Sequence, residues 1–77
     1  MVKVGDRLIC SRPMSYYTEG SQYRVEEVHH SNDGTIRITL VDNDGDSERW
    51  RADDKARSRN AHYTKWFKPA SILIGGE

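Results

Sequence analysis

The sequence is short of the features that define several large classes of protein. Its 77 residues include one cysteine, Cys10, so no internal disulfide can form, and no apolar run approaches the roughly 20 residues that a membrane helix needs. Acidic and basic side chains balance at 12 each, so no overall charge attracts a nucleic acid or a membrane surface. No segment resembles a signal peptide. These absences predict a reduced, cytoplasmic protein with no membrane contact.

Patterns that bind metals or carry out catalysis are also missing. His29 and His30 are adjacent, and adjacent strand residues point to opposite faces. The acidic run from Asp42 to Asp46 has its glycine too early for a calcium loop and lacks the closing glutamate. The sequence offers no serine or cysteine nucleophile with a partner, and no glycine loop for phosphate. We therefore predict no metal, no cofactor and no enzymatic activity.

A predicted β-hairpin, Thr35 to Arg51, organises the rest of the chain. Its first half alternates apolar and polar residues with a period of two, which places Ile36, Ile38 and Leu40 on one face of a strand. Residues 42–46 are Asp, Asn and Gly, which favour a turn. The hairpin supplies the first part of a thin core, as expected for a domain of this size.

Further strands are predicted before this hairpin. The patterns at 7–10 and 22–30 indicate strands, with a long polar loop at 11–21 between them and a turn at 31–34 after them. Within the second strand the apolar positions change parity at Glu26. We therefore expect a bulge or a sharp bend there.

The C-terminal third departs from the strand pattern. Residues 52–63 hold few large apolar side chains and form a basic insert, predicted as a short exposed helix or a loop. We expect a strand at 64–68, a 3₁₀ turn at 69–71, a closing strand at 72–74 and a frayed tail at 75–77.

The order of these elements and several short motifs resemble a group of small bacteriophage-encoded SH3-like domains. The motifs are Val4-Gly5-Asp6, Gly20 to Val25, Asp44-Gly45 followed by Trp50, and Phe67 before the closing segment. The resemblance implies an all-β fold, a small SH3-like barrel of about five antiparallel strands, formed by a single domain over residues 1–77. It also implies a phage protein that acts in the host cytoplasm. The basic insert departs from this group, in which a shorter link is expected.

The resemblance further implies a non-enzymatic binding module that engages a host or phage protein, in host takeover or against a host defence. SH3-like barrels bind partners beside the long first loop, which here carries Tyr16 and Tyr17, and Trp50 or Trp66 could add further aromatic contacts. The alternative is that these rings complete the small core. The sequence leaves both possibilities open.

A second interpretation is nucleic-acid binding by residues 55–68. Basic and aromatic side chains alternate in this segment, a combination that contacts phosphates and stacks on bases; they are Lys55, Arg57, Arg59, His62, Tyr63, Lys65 and Trp66. The alternative is a solvated basic loop that pairs with nearby carboxylates. The residues expected to contact a partner are thus Tyr16, Tyr17, Trp50, Arg57, Arg59, Tyr63, Lys65 and Trp66, and the oligomeric state is left open.

Overall fold

The structure, a computed structural model, describes residues 2–57 and 62–70. Within these ranges the chain is mostly β, with two three-stranded antiparallel sheets in the orders β2-β1-β6 and β3-β4-β5. The strands are β1 Arg7–Cys10, β2 Gln22–Arg24, β3 Glu27–His30, β4 Ile36–Val41, β5 Ser47–Arg51 and β6 Phe67–Pro69; a short helix, α1, covers Asp54–Arg57 and a 3₁₀ turn covers Tyr63–Lys65. The predicted all-β character is confirmed. No helix in the described ranges has the length and apolar character needed to span a membrane.

The strand predicted at 22–30 is divided into β2 and β3, and this segment serves both sheets. The N–H of Val25 donates to the carbonyl of Asp6 at 2.8 Å, next to β1, and the N–H of Glu26 donates to Thr39 in β4 at 2.9 Å. The expected break at the change of parity is therefore confirmed. It lets one segment of chain pass from one sheet to the other.

Both sheets contribute side chains to one core. Its buried members are Leu8, Cys10, Tyr17, Val25, Ile38, Leu40, Tyr63 and Phe67. Ile38 and Leu40 have no exposed surface, as the alternation predicted, whereas Ile36 is only partly buried. Cys10 is a buried free thiol whose Sγ donates to the carbonyl of Arg12 at 3.0 Å, in keeping with a small core residue.

The last elements differ from the prediction. The 3₁₀ turn lies before the final described strand and not after it, because the His62 side chain caps the turn by accepting the N–H of Thr64 at 3.3 Å. Pro69 belongs to β6 and does not interrupt it, since β6 lies at the edge of its sheet, where a missing N–H leaves no partner unsatisfied. The expected strand at 72–74 and tail at 75–77 lie outside the described residues.

The turn between β4 and β5, residues 42–46 (the acidic turn), is organised by the carboxylate of its first residue. Asp42 Oδ1 accepts the N–H groups of Asp44 at 2.9 Å and Asp46 at 3.0 Å. Burial of Asp42 opposes ionisation, but hydrogen bonds from the backbone of Asp46, from the Glu48 side chain and from the Asp44 backbone outweigh it and lower its pKa. Asp42 therefore acts as an ionised turn residue.

Candidate functional site

Four aromatic rings meet where residues 11–21, the long loop, cover the core: Tyr17, Tyr23, Trp50 and Phe67. The rings pack edge to face, and Tyr17 contacts the other three at centroid distances of 4.9 Å to Tyr23, 5.2 Å to Phe67 and 5.8 Å to Trp50. Tyr17 is 3% exposed. Its ring completes the core, so it is not the exposed partner contact that the sequence allowed.

The hydroxyl of Tyr17 is held by two partners. It donates to Glu48 Oε1 at 2.6 Å and accepts from Trp50 Nε1 at 3.3 Å. Burial, followed by the hydrogen bond to Glu48, raises the pKa of Tyr17 well above its usual value. The phenol therefore stays protonated at neutral pH and holds the half-buried indole of Trp50 in one orientation.

The long loop is bound to the acidic turn by hydrogen bonds centred on Asn43. The N–H of Asn43 donates to the carbonyl of Tyr16 at 2.9 Å, and its side-chain amide donates to Thr18 Oγ1 at 3.0 Å. The Tyr23 hydroxyl donates to Asn43 Oδ1 at 2.7 Å and accepts the N–H of Thr18 at 2.7 Å. The backbone on either side of Tyr17 is thus fixed at the edge of the core.

Tyr16 projects from this fixed backbone into solvent. It is 54% exposed, and the other exposed large apolar side chain in the described residues is Val4, at 52%. Tyr16 and Tyr17 are adjacent, yet one is exposed and the other buried. The structure therefore presents one phenol ring at the surface on an ordered support.

Trp66 lies at the opposite end of the long loop. Its carbonyl accepts both the N–H of Ser11 at 2.8 Å and the Ser11 hydroxyl at 3.0 Å, which joins the loop to the 3₁₀ turn. The guanidinium of Arg12 lies over the indole ring, 5.9 Å from its centroid, a cation–π arrangement. Trp66 is half-buried while the neighbouring Phe67 is buried. Sequence reasoning did not identify Arg12, because no local pattern pairs it with a tryptophan 54 positions away.

The basic and aromatic residues of 55–68 do not form one surface. Tyr63 is buried, which raises its pKa, and its ring stacks on His62 at a centroid distance of 4.8 Å. Tyr63 therefore offers no free face for a base, contrary to the sequence expectation. Arg57 is exposed and lies 3.6 Å from Asp54, and Lys65 is partly buried. Arg59 lies outside the described residues.

His62 is the buried polar residue that the sequence pattern missed. It is 3% exposed, and its Nδ1 lies 2.9 Å from the hydroxyl of Thr64. Its Nε2 has no hydrogen-bond partner among the described residues. Its burial follows from its bridge to Arg51 at the end of β5, a contact between distant positions in the chain.

The surface also carries a shallow apolar depression, lined by Val2, Lys3, Val4, Val28 and His30. It offers hydrophobic contact and one imidazole. Over residues 2–57 and 62–70 no group of three or more His, Cys, Asp or Glu side chains is placed to hold a metal ion.

Comparisons with known proteins provide no relative. No family model, curated protein or solved structure matches the chain.

Proposed function

We propose that the chain is a non-enzymatic, SH3-like binding module of phage origin that engages a host or phage protein in the host cytoplasm. The observation that carries this proposal is the surface around Tyr16, whose ring is 54% exposed while its carbonyl is bonded to Asn43. A large side chain on an ordered backbone loses little conformational freedom when a partner binds. Tyrosine is also among the residues that dominate protein interfaces.

The order of the strands supports the SH3-like part of this proposal. A long loop follows β1, the segment 22–30 serves both sheets, two tight hairpins join β3, β4 and β5, and a 3₁₀ turn precedes β6. This arrangement is typical of SH3-like barrels. In those domains the long first loop and the 3₁₀ turn border the binding groove, and here Arg12 and Trp66 occupy that position.

Charges around Tyr16 indicate the chemistry of the partner. Asp44 and Asp46 are exposed in the acidic turn, whose backbone is bonded to Tyr16, and the long loop adds the exposed Glu19. A partner with an apolar pocket for the phenol ring and basic side chains at the rim would complement this surface.

A capture experiment from host-cell lysate tests the proposal. The immobilised wild type, Tyr16→Ala and Val4→Ala are compared, each with and without nuclease. Val4→Ala is the matched control because it truncates an equally exposed side chain elsewhere. We expect a nuclease-resistant protein that wild type and Val4→Ala retain and Tyr16→Ala loses, while thermal melting shows all three folded. A partner that binds Tyr16→Ala as well as wild type would refute the proposed surface, and recovery of nucleic acid alone would refute the protein partner.

A further inference from the structure

The outer face of the second sheet concentrates arginine side chains. The register of the strands places Arg37 opposite Arg51 and Thr39 opposite Arg49, and paired residues share a face. Ile38 lies between these positions on the inner face, with no exposed surface, so the arginines lie on the outer face. We call Arg37, Arg49 and Arg51 the arginine face.

Two of these three arginines have no carboxylate partner in the part of the chain that the structure describes. The ion pairs found there engage Arg24, Arg51 and Arg57. Like charges directly opposite each other on a sheet are destabilising, so Asp53 relieves only the Arg51 half of the cross-strand pair. Arg37 and Arg49 thus keep guanidinium groups available for an external anion.

Other ionisable groups on this face add little negative charge. His29 is paired with Arg37, and it is exposed. Glu27 is paired with Thr39, so it lies two strands away from Arg49, a separation of roughly 10 Å. Asp33 lies in the turn before β4, near enough for Arg37 and Lys55 to help lower its pKa, after the hydrogen bonds from Thr35. The cationic character of the face therefore persists.

We propose that the arginine face binds the phosphodiester backbone of a nucleic acid through Arg37 and Arg49, independently of the protein-binding surface at Tyr16. Diagonal neighbours on adjacent strands lie roughly 7–8 Å apart, so two guanidinium groups can contact successive phosphates. Ion pairs with phosphates suffice for sequence-independent binding. The exposed large apolar residues of the described chain, Val4 and Tyr16, are not on this face, whereas a protein partner requires apolar contacts at its centre.

The acidic turn sets the path of such a backbone. Arg37 and Arg51 lie at the open end of the β4–β5 hairpin, and Val41 pairs with Ser47 next to the turn. A strand of four residues separates Arg37 from Val41 by roughly 13 Å. A phosphate chain would therefore cross the strands near Arg37 and Arg49, because the carboxylates at the other end repel it.

Fluorescence anisotropy with labelled 12-nucleotide single-stranded DNA and a 12-base-pair duplex tests this proposal between 20 and 200 mM salt. The test variant is Arg37→Gln/Arg49→Gln. The control is Arg24→Gln/Arg57→Gln, which removes the same two charges from arginines paired with Glu26 and Asp54. We expect the test variant to weaken binding roughly tenfold or more at low salt, and to lower the slope of log K against log salt by roughly 1.4–1.8.

The expected control retains most of the affinity and the full slope, and thermal melting shows that both variants are folded. Equal losses in the two variants would overturn the proposal, since they would reflect net charge alone. Absence of binding by wild type at 20 mM salt, to either DNA, would also overturn it. Binding of a labelled poly-glutamate peptide as tightly as DNA would overturn the assignment to phosphates. Loss of binding by Tyr16→Ala would contradict the independence of the two surfaces.

Discussion

Arg51 holds the Asp53 carboxylate through two parallel contacts, Nε to Oδ1 at 2.8 Å and Nη2 to Oδ2 at 2.9 Å. Asp53 is 3% exposed, and its Oδ1 also accepts the N–H of Ile36 at 3.3 Å. One carboxylate therefore joins the end of β5, the start of β4 and the residue that precedes α1. The bond to Arg51, which outweighs the opposing effect of burial, and the bond from Ile36 hold the pKa of Asp53 far below its usual range.

The first prediction concerns acid stability. Because the pKa of Asp53 is lower in the folded chain than its ordinary 3.8, its contribution is present above about pH 4 and is lost as the pH falls. Asp53→Asn should be less stable than wild type at pH 7 and should lose less stability between pH 5 and pH 2. Urea unfolding across this range measures both effects. Asp54→Asn is the control, because its side chain is 97% exposed, and it should match wild type. Wild type and Asp53→Asn curves that stay parallel to pH 2 would refute the role of the pair.

The second prediction concerns the Tyr17 hydroxyl. Tyr17→Phe keeps the ring in the aromatic cluster but removes the bonds to Glu48 and Trp50, so it should cost about 1 kcal/mol of stability. Tyr16→Phe should cost nothing measurable, since its exposed hydroxyl makes no hydrogen bond in the described residues. Chemical unfolding of the two variants measures the difference, and equal losses would contradict the buried network.

The same residue predicts a dependence on alkaline pH. The pKa of Tyr17 is raised in the folded chain, so its contribution is present below the ordinary value of 10.0 and is lost as the pH rises. Wild type should therefore lose stability above about pH 10 more steeply than Tyr17→Phe. Tyrosinate absorbance should show one tyrosine that ionises only when the chain unfolds. Complete ionisation of all tyrosines in the folded protein would contradict this.

The third prediction separates core from surface. Ile38→Ala removes a side chain with no exposed surface and should destabilise the fold by about 2–5 kcal/mol. Arg57 is exposed, so the double variant Arg57→Ala/Arg59→Ala should melt close to wild type. Greater damage from the arginine pair than from Ile38→Ala would show that the assignment of the core is wrong.

The fourth prediction concerns Gly45 in the acidic turn. Its φ is +86°, and an added Cβ would meet no atom within 4 Å, so any cost of substitution comes from the backbone alone. Gly45→Ala should destabilise by about 1–2 kcal/mol, and Gly45→Asn by less, because asparagine tolerates positive φ. Equal effects in urea unfolding would show that the positive φ is not required.

Sequence reasoning located the early strands because their signals are local. The alternation around Ile38, the glycine turns and the change of parity at Glu26 each depend on residues a few positions apart. It failed at the 3₁₀ turn and at Pro69, which depend on a cap by His62 and on the edge position of β6. Such contacts join distant parts of the chain, so no window of neighbouring residues contains them.

The same distinction applies to the candidate sites. The sequence marked Tyr16 and Tyr17 together, and only packing against three other rings shows which is buried. The arginine face, by contrast, was accessible in principle. A hairpin that turns at 42–46 pairs residues on either side of Asp44, which sets Arg37 opposite Arg51. What was missing was the step from the turn to the register of the strands.

The pairing of Leu8 with Pro69 in β1 and β6 has a consequence for synthesis. A ribosome releases the chain from its N-terminus, so β3, β4 and β5 can pair as successive neighbours while the partner of β1 is still being translated. Phe67, which packs against Tyr17 and Trp50, arrives with that last strand. A nascent chain stopped before Phe67 should therefore hold its second sheet with the aromatic cluster incomplete and one edge of β1 still unpaired.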